Sequence, residues 1–394
     1  MDYKMYIAIL GRQPALSIAE LERSFGGGSI KVISNQAAII DANDFEINNF
    51  GGTLKAGLVI EEIQTSEWTK IHQNLIERLY NEWSEVTGKI TLGISVYGMS
   101  INPQKIQQTG LILKRQLKKH GISLRLIPNQ KSDLNTATSH HNKLGLSDNK
   151  VEIIIAKSGS GKVYIAKSCG SQNITAYANR DQKRPKRDAF VGMLPPKLAQ
   201  IMINLTGFRL KNNVSNLRLL DPFCGTGVVL QEASLMNMET YGTDLSEKMV
   251  EYSIENLKWL CNRRDIKFKV EQGDATNKRW SGKIDLVVGE TYLGQPFSAP
   301  PSSKKLIEVT GNCNHIIGGF LRNLATQIDS GTPVCIAVPA WRDKSGNFTH
   351  LPIIDKIANY GFRPYEFHHV SQNDMLYFRE DQVVARELLV LVKV

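Results

Sequence analysis

The chain reads as an α/β protein in two halves. The C-terminal half is a doubly wound, mostly parallel, Rossmann-like sheet, and smaller α/β layers precede it. Three observations predict this. From residue 191 onward, apolar runs ending near Leu220, Thr243, Glu271 and Val288 alternate with helical stretches, and "PVCIAVPAW" and "ELLVLVKV" follow as closing strands. Before residue 177, strands and helices alternate at shorter intervals. Between the two lies "YANRDQKRPKRDAF" (177–190), where Arg180, Lys183, Arg184, Lys186 and Arg187 put five cations in eight residues.

The first 57 residues hold a strand at Tyr6–Leu10, a helix at Leu16–Phe25 stopped by "GGG" at 26–28, and a strand "AAIID" at 37–41. Residues 58–176 predict a helix from Trp68 to Trp83, the strand "TLGISVYG", a helix from Pro103 to about His120, and the strand "SLRLIP". Two more strands, "VEIIIAK" and "VYIAKS", are joined by "SGSGK". That joint is a hairpin turn and not a phosphate-binding loop. Ala156 replaces the first glycine, Val163 the hydroxyl residue, and a strand follows instead of a helix. Residues 177–190 form a basic linker. Residues 191–394 then open on "GMLPPKLAQIMINL", with prolines in the first helical turn and Leu198, Ile201, Met202 and Leu205 on one face. Further on, Val250, Ile254, Leu257 and Cys261 form another such stripe.

At 394 residues and 42% hydrophobic content the chain can bury more than one ordinary core. It has no apolar stretch long enough to span a bilayer, so no membrane partner is expected. The opening "MDYKMYIAILGRQPALSIAELERSFG" reads as a strand and a helix and not as a signal peptide. Five scattered cysteines, none spaced Cys-x-x-Cys, argue against a disulfide framework or a zinc site and fit a cytoplasmic protein without a bound metal. A net charge of +10 suits a polyanionic partner.

The stretch "LRLLDPFCGTGVVLQEA" (217–233) sets the chemistry. An apolar strand ends at an acid, a turn with two glycines follows, and a helix begins. Ligands of open α/β sheets bind beyond the carboxyl ends of the strands. There the sequence offers Asp221, Asp244, Asp274 and Glu290, one after each successive strand. The dinucleotide fingerprint of a dehydrogenase needs a third glycine, and Leu230 stands in its place. An S-adenosylmethionine site matches better. Gly225 and Gly227 supply bare backbone, Asp244 in "YGTDLS" an acceptor for two ribose hydroxyls, and Asp274 in "QGDAT" a polar group for the adenine amine. These acids are 23 and 30 residues apart, in order.

"DPFCGTGVVLQEA", "GTDLSEKMVEYSIENL" and "QGDAT" resemble the class I methyltransferases that modify an exocyclic amino group of guanine in tRNA. The opening strand and helix are similar to that family's N-terminal ferredoxin-like domain, residues 58–176 to its THUMP RNA-binding domain, and 177–190 to its inter-domain segment. The resemblance implies a cofactor site of Asp221, Phe223, Gly225, Gly227, Asp244, Leu245, Asp274 and Ala275. It also implies tRNA as partner and RNA contacts from Arg180, Lys183, Arg184, Lys186 and Arg187. The family's catalytic loop, Asp/Asn-Pro-Pro-Tyr/Phe, stands here as "ETYLG". Glu290 is then the expected acceptor for the target amine and Tyr292 the ring that stacks on the flipped base. A monomer or weak dimer is expected, with or without a small activating protein partner. Two alternatives stay open: an RNA-binding protein that keeps the cofactor pocket but has retired from catalysis, and a DNA amino-methyltransferase.

Overall fold

The computed structural model describes residues 4–188, 193–210, 216–261 and 267–394. They fall into two units, Met1–Ile18 with Gly28–Ala176, and Ala19–Gly27 with Tyr177–Val394. In chain order up to the basic linker the elements are β1 (Lys4–Leu10), α1 (Pro14–Phe25), β2 (Ile30–Ser34), β3 (Ala37–Ala42), β4 (Thr53–Ile63), α2 (Trp68–Trp83), β5 (Lys89–Tyr97), α3 (Pro103–Lys118), β6 (Ser123–Leu126), α4 (Thr136–His141), β7 (Lys150–Lys157), β8 (Val163–Ser171) and α5 (Ile174–Gln182).

The first unit is built on one eight-stranded sheet, ordered β2-β3-β1-β4-β8-β7-β5-β6. Its first four strands are antiparallel neighbours in ferredoxin-like order, with a single 3₁₀ turn at Ile47–Asn49 where a second helix would stand. β4 pairs with β1 through Thr53–Leu58 and with β8 through Lys55–Ile63, so residues 57 and 58 lie inside one continuous strand. The expected boundary between the first two segments thus falls in the middle of a hydrogen-bonded ladder. Ile71, Leu75, Leu79 and Trp83 recur at helical spacing along α2 and pack with α3 residues Ile106, Leu113 and Leu117 over β5, β7 and β8. The "SGSGK" segment is a hairpin turn, closed by Ser158 N–H donating to Lys162 O at 2.8 Å.

The second unit continues with α6 (Pro196–Leu205), β9 (Arg218–Asp221), α7 (Val228–Leu235), β10 (Glu239–Asp244), α8 (Glu247–Cys261), β11 (Phe268–Gln272), β12 (Leu286–Glu290), α9 (Ser303–Ala325), β13 (Pro333–Arg342), β14 (Phe348–Thr349), β15 (Phe362–Pro364), β16 (Leu376–Tyr377) and β17 (Val384–Lys393). Its sheet runs β11-β10-β9-β12-β13-β17-β15, with β14 beside β13 and β16 beside β17. β9 to β13 are parallel, and β17 is antiparallel to both its main neighbours. Val309, Cys313, Ile317, Phe320, Leu321 and Leu324 bury one face of α9 against Val287, Ile336, Val338, Leu389 and Leu391. α6 packs on α7, β12 and β13, and all of its residues except Lys197 are buried. The strand order reverses between β9 and β12, which opens a crevice at their carboxyl ends. Gly192, expected to lead into α6, lies outside the described residues, as do Ala189 and Phe190 of the linker and the side chain of Cys261.

Candidate active site

Asp221, Asp244 and Glu290 each end a strand at the crevice, and Asp274 follows β11 by two residues. Asp221 closes β9 and is buried, and its Oδ1 accepts the Phe223 N–H at 3.1 Å. Burial pushes this carboxyl well above the usual carboxylate range. The Phe223 N–H opposes the shift, while the neighbouring Asp244 and Glu290 carboxylates add to it. Gly289 on β12 leaves room for it, since a Cβ there would lie 2.5 Å from Asp221 Oδ1.

The turn after β9 needs its two glycines. Gly225 and Gly227 have φ of +51° and +79°, in the left-handed region. Gly227 also lies under α8, where a Cβ would meet Ser253 Oγ at 2.8 Å, whereas a Cβ on Gly225 meets nothing within 4 Å. The backbone of Gly225 therefore borders open space. Ser253 Oγ donates to Gly225 O at 2.9 Å, and Asn256 Nδ2 donates to Thr226 O at 2.9 Å.

Asp244 closes β10, and its two oxygens divide the work. Oδ2 accepts the Gly225 N–H and Oδ1 the Ser246 N–H, both at 2.9 Å. Burial raises its pKa, and these two N–H groups oppose the rise. Leu245, next along, is 70% exposed. Asp274 follows β11 and directs one oxygen inward, with Oδ1 accepting from Thr276 N and Oγ1 at 2.9 and 2.7 Å. Ala275 is buried beside it. Phe223 meets Phe320 edge to face, with ring centroids 5.1 Å apart.

Glu290 closes β12. Its Oε1 accepts from Arg386 Nε of β17, an ion pair largely shielded from solvent. Burial raises the Glu290 pKa, and Arg386 opposes the rise. Thr291 is fixed to Ala337 O by its N–H at 3.0 Å and its hydroxyl at 2.9 Å. Tyr292 is 45% exposed. The loop then turns at Gly294, φ +80°, where a Cβ would lie 2.9 Å from Val309 Cγ1. Side-chain anchoring at Thr291 and close packing at Gly294 thus constrain a loop that has no proline between Glu290 and Gly294.

The basic linker behaves differently from its reading in the sequence. Arg180 is forked onto the buried carboxylate of Glu232, Nε to Oε1 at 2.6 Å and Nη2 to Oε2 at 3.1 Å. Arg184 is 3% exposed and lies against Met193 Sδ and Asp181. These two cations correct the expectation of phosphate contact, because one is committed to an internal carboxylate and the other is out of reach of solvent. Lys186 has a half-exposed ion pair with Glu255, and its backbone is tied to Asn256 (N–H to Oδ1 at 2.9 Å, O from Nδ2 at 3.0 Å). Lys183 and Arg187 are exposed.

Sequence reasoning missed Arg386, Ser253 and Asn256. None carries a local signal: Asn256 is a polar position on a helix, and Arg386 comes to Glu290 from 96 residues away. Among the described residues no group of histidines, cysteines or acids could hold a metal ion. Nor is any helix of those residues long and apolar enough to cross a membrane.

Numbered along the second unit, the seven principal strands run 3-2-1-4-5-7-6 with the seventh antiparallel, which is the class I methyltransferase fold. Residues 184–317 match the family described as UPF0020, RMKL-like methyltransferase domain. The chain is 34% identical over 166 residues to the tRNA (guanine(10)-N2)-dimethyltransferase of Methanothermobacter thermautotrophicus, covering 41% of this chain and 44% of that protein. It is 38% identical over 106 residues to the Pyrococcus abyssi protein of the same name, 27% of this chain and 26% of that one. The matches therefore span less than half the length of these relatives. The crystal structure of TrmN from Thermus thermophilus shares the fold along 99% of this chain and 100% of its own, with a TM-score of 0.54 at 17% identity.

Proposed function

We propose that this chain transfers a methyl group from S-adenosylmethionine to the exocyclic amino group of a guanine in tRNA. The observation that carries the reading is the junction of Gly225 and Asp244 at 2.9 Å, one strand away from Glu290. It sets a bare, positive-φ backbone and a ribose-type acceptor beside an acceptor for an amine. The names of the two relatives support the same substrate class.

The residues fit the cofactor. Open space borders Gly225, Asp244 has acceptor capacity beyond its two backbone bonds, and exposed Leu245 offers an apolar surface to a purine. In this reading Asp244 takes the ribose hydroxyls, Gly225 and Gly227 leave room for the amino-acid portion with Asp221 and Phe223 beneath it, and Asp274 with Ala275 borders the adenine. When bound, S-adenosylmethionine supplies an electrophilic methyl group on a sulfonium sulfur.

The chain's own contribution is positioning. Glu290 accepts an N–H of the target amine, which orients the nitrogen lone pair away from the carboxylate, and the same carboxylate is a base for the proton the amine sheds. Tyr292, half exposed at the loop, stacks on the base. Lys183, Lys186 and Arg187 hold RNA phosphate, and the THUMP-like segment 58–176 recognises RNA by shape.

Nucleoside mass spectrometry of unmodified tRNA incubated with protein and cofactor tests the proposal, with N2-methylated guanosine as the expected product. Binding of both cofactor and tRNA without any methylation would instead favour an RNA-binding protein that has retired from catalysis. The altered "ETYLG" loop, with Glu290 already engaged by Arg386, is the observation behind that second reading.

A further inference from the structure

We propose that Arg386 is a positioning residue that holds Glu290 as a carboxylate, and that the pair makes the site select a base edge bearing two adjacent N–H donors. This inference rests on the function proposed above and names the group that sets its base class.

The geometry is unusual for a structural ion pair. β12 and β17 are not neighbours, because β13 runs between them. Glu290 stands opposite Ala337 of β13, and Arg386 stands opposite Pro339 of the same strand. The guanidinium therefore crosses a strand to reach Glu290. Arg386 is 8% exposed, so both charges are largely removed from water. Burying such a pair seldom adds stability over apolar residues of similar size, and this one sits at the strand end that faces the crevice.

Glu290 needs the cation. Burial favours its neutral form, and the acid side chain of Asp221 lies on the adjacent strand β9. Arg386 is the opposing positive charge. The protonation state decides what the group can read. A carboxylate has four acceptor positions on two oxygens and no donor, whereas the protonated acid donates from one oxygen. Arg386 Nε occupies one position on Oε1, leaving both oxygens able to accept.

Base chemistry then discriminates. Guanine carries its exocyclic amine beside a ring N–H. Adenine and cytosine each carry theirs beside a ring nitrogen with a lone pair, which a carboxylate repels. An ionised Glu290 therefore favours guanine through one attractive and one repulsive element.

The test uses the full chain and unmodified tRNA, with methylated nucleosides resolved by mass spectrometry across pH. Wild type should yield methylguanosine only. R386M should lose turnover by about tenfold or more while its tRNA and S-adenosylmethionine affinities stay within about threefold. The acid limb of its pH–rate profile should move up by about one to three units, because activity requires ionised Glu290. R386K, which keeps the charge, should return the limb towards wild type. The double variant E290Q/R386M, which buries no charge, should fold and bind S-adenosylmethionine and tRNA within about threefold of wild type but lose turnover, because Glu290 is also the base. An R386M protein with wild-type rate and pH profile overturns the inference and leaves the proposed function standing. Should R386M not fold, R386Q, which keeps a donor without the charge, is read by the same limb, and a wild-type limb in R386Q overturns the inference. Wild type yielding methyladenosine or methylcytidine, or no product, overturns the function together with the inference.

Discussion

Arg180 lays two guanidinium nitrogens on the carboxylate of Glu232, bidentate and at 2.6 and 3.1 Å, in a place where the carboxylate has almost no access to water. A basic linker residue is thereby an internal tie of the second unit. Removing one partner of a buried pair leaves the other charge uncompensated, at a cost of about 3–5 kcal/mol. Arg180→Ala should lower stability by that order in chemical denaturation. Burial already raises the Glu232 pKa against the pull of Arg180. Without Arg180 the folded pKa rises further above the unfolded one, so the deficit should be smallest below the unfolded pKa and grow as pH rises through the folded value. A deficit independent of pH would exclude this assignment.

The exposed cations of the same linker should act on RNA instead. Each phosphate contact steepens the fall of log affinity with log salt by roughly 0.7–0.9. Lys183→Ala with Arg187→Ala should flatten the slope for tRNA binding by about one to two units and weaken different tRNAs alike. Filter binding at several salt concentrations reads this directly, and equal slopes mean the two side chains face only water.

Asp244 has a single predicted task. Charge-assisted hydrogen bonds contribute roughly 1.5–3 kcal/mol each before compensation. Asp244→Ala should therefore weaken S-adenosylmethionine by about tenfold or more by calorimetry, with the fold intact by circular dichroism. Unchanged affinity would remove Asp244 from the ribose.

Tyr292 should act on the base through its ring and not its hydroxyl. Base stacking on an aromatic side chain contributes about 1–3 kcal/mol by alanine substitution. Tyr292→Ala should lower kcat/KM for tRNA by about tenfold or more, and Tyr292→Phe should stay near wild type. Equal damage from both would assign the role to the phenol oxygen.

Asp221 should trade stability for binding. Its folded pKa is raised well above the unfolded value, chiefly by burial. Its contribution to stability is thus fully present below the unfolded pKa and is lost as pH rises through the folded one. Asp221→Asn can keep the bond from Phe223 N–H, so it should raise Tm at pH 8 relative to pH 5 compared with wild type. Cofactor affinity should fall in the same variant. A Tm difference that does not change with pH would mean the carboxyl is not held as described.

What could be read in advance divides by range. Helical spacing in α2 and α9 and the acids after β9, β10, β11 and β12 are local patterns, and each reflects a local cause: one buried face, or one strand end opening on a crevice. The strand order lay further off, and with it the partners. Arg386 reaches Glu290 only because β17 runs antiparallel beside β13, and nothing near either residue encodes that pairing. Arg180 and Arg184 read as RNA contacts because they sit in a cationic run, while Glu232, the acid that engages Arg180, is carried on α7. β4 gave no hint of its double use, since an eleven-residue strand paired on both edges has no composition break at its middle.

That double use bears on how the chain's first 176 residues can be inherited. Because β4 is a shared seam, with β1 along one edge and β8 along the other, a recombination event at residue 57 would deliver two fragments with raw, unpaired edges prone to sticking to other chains. An intact seam needs both of its neighbours, so the strands from β1 to β8 make one hydrogen-bonded sheet, even though the first four of them already trace a familiar fold.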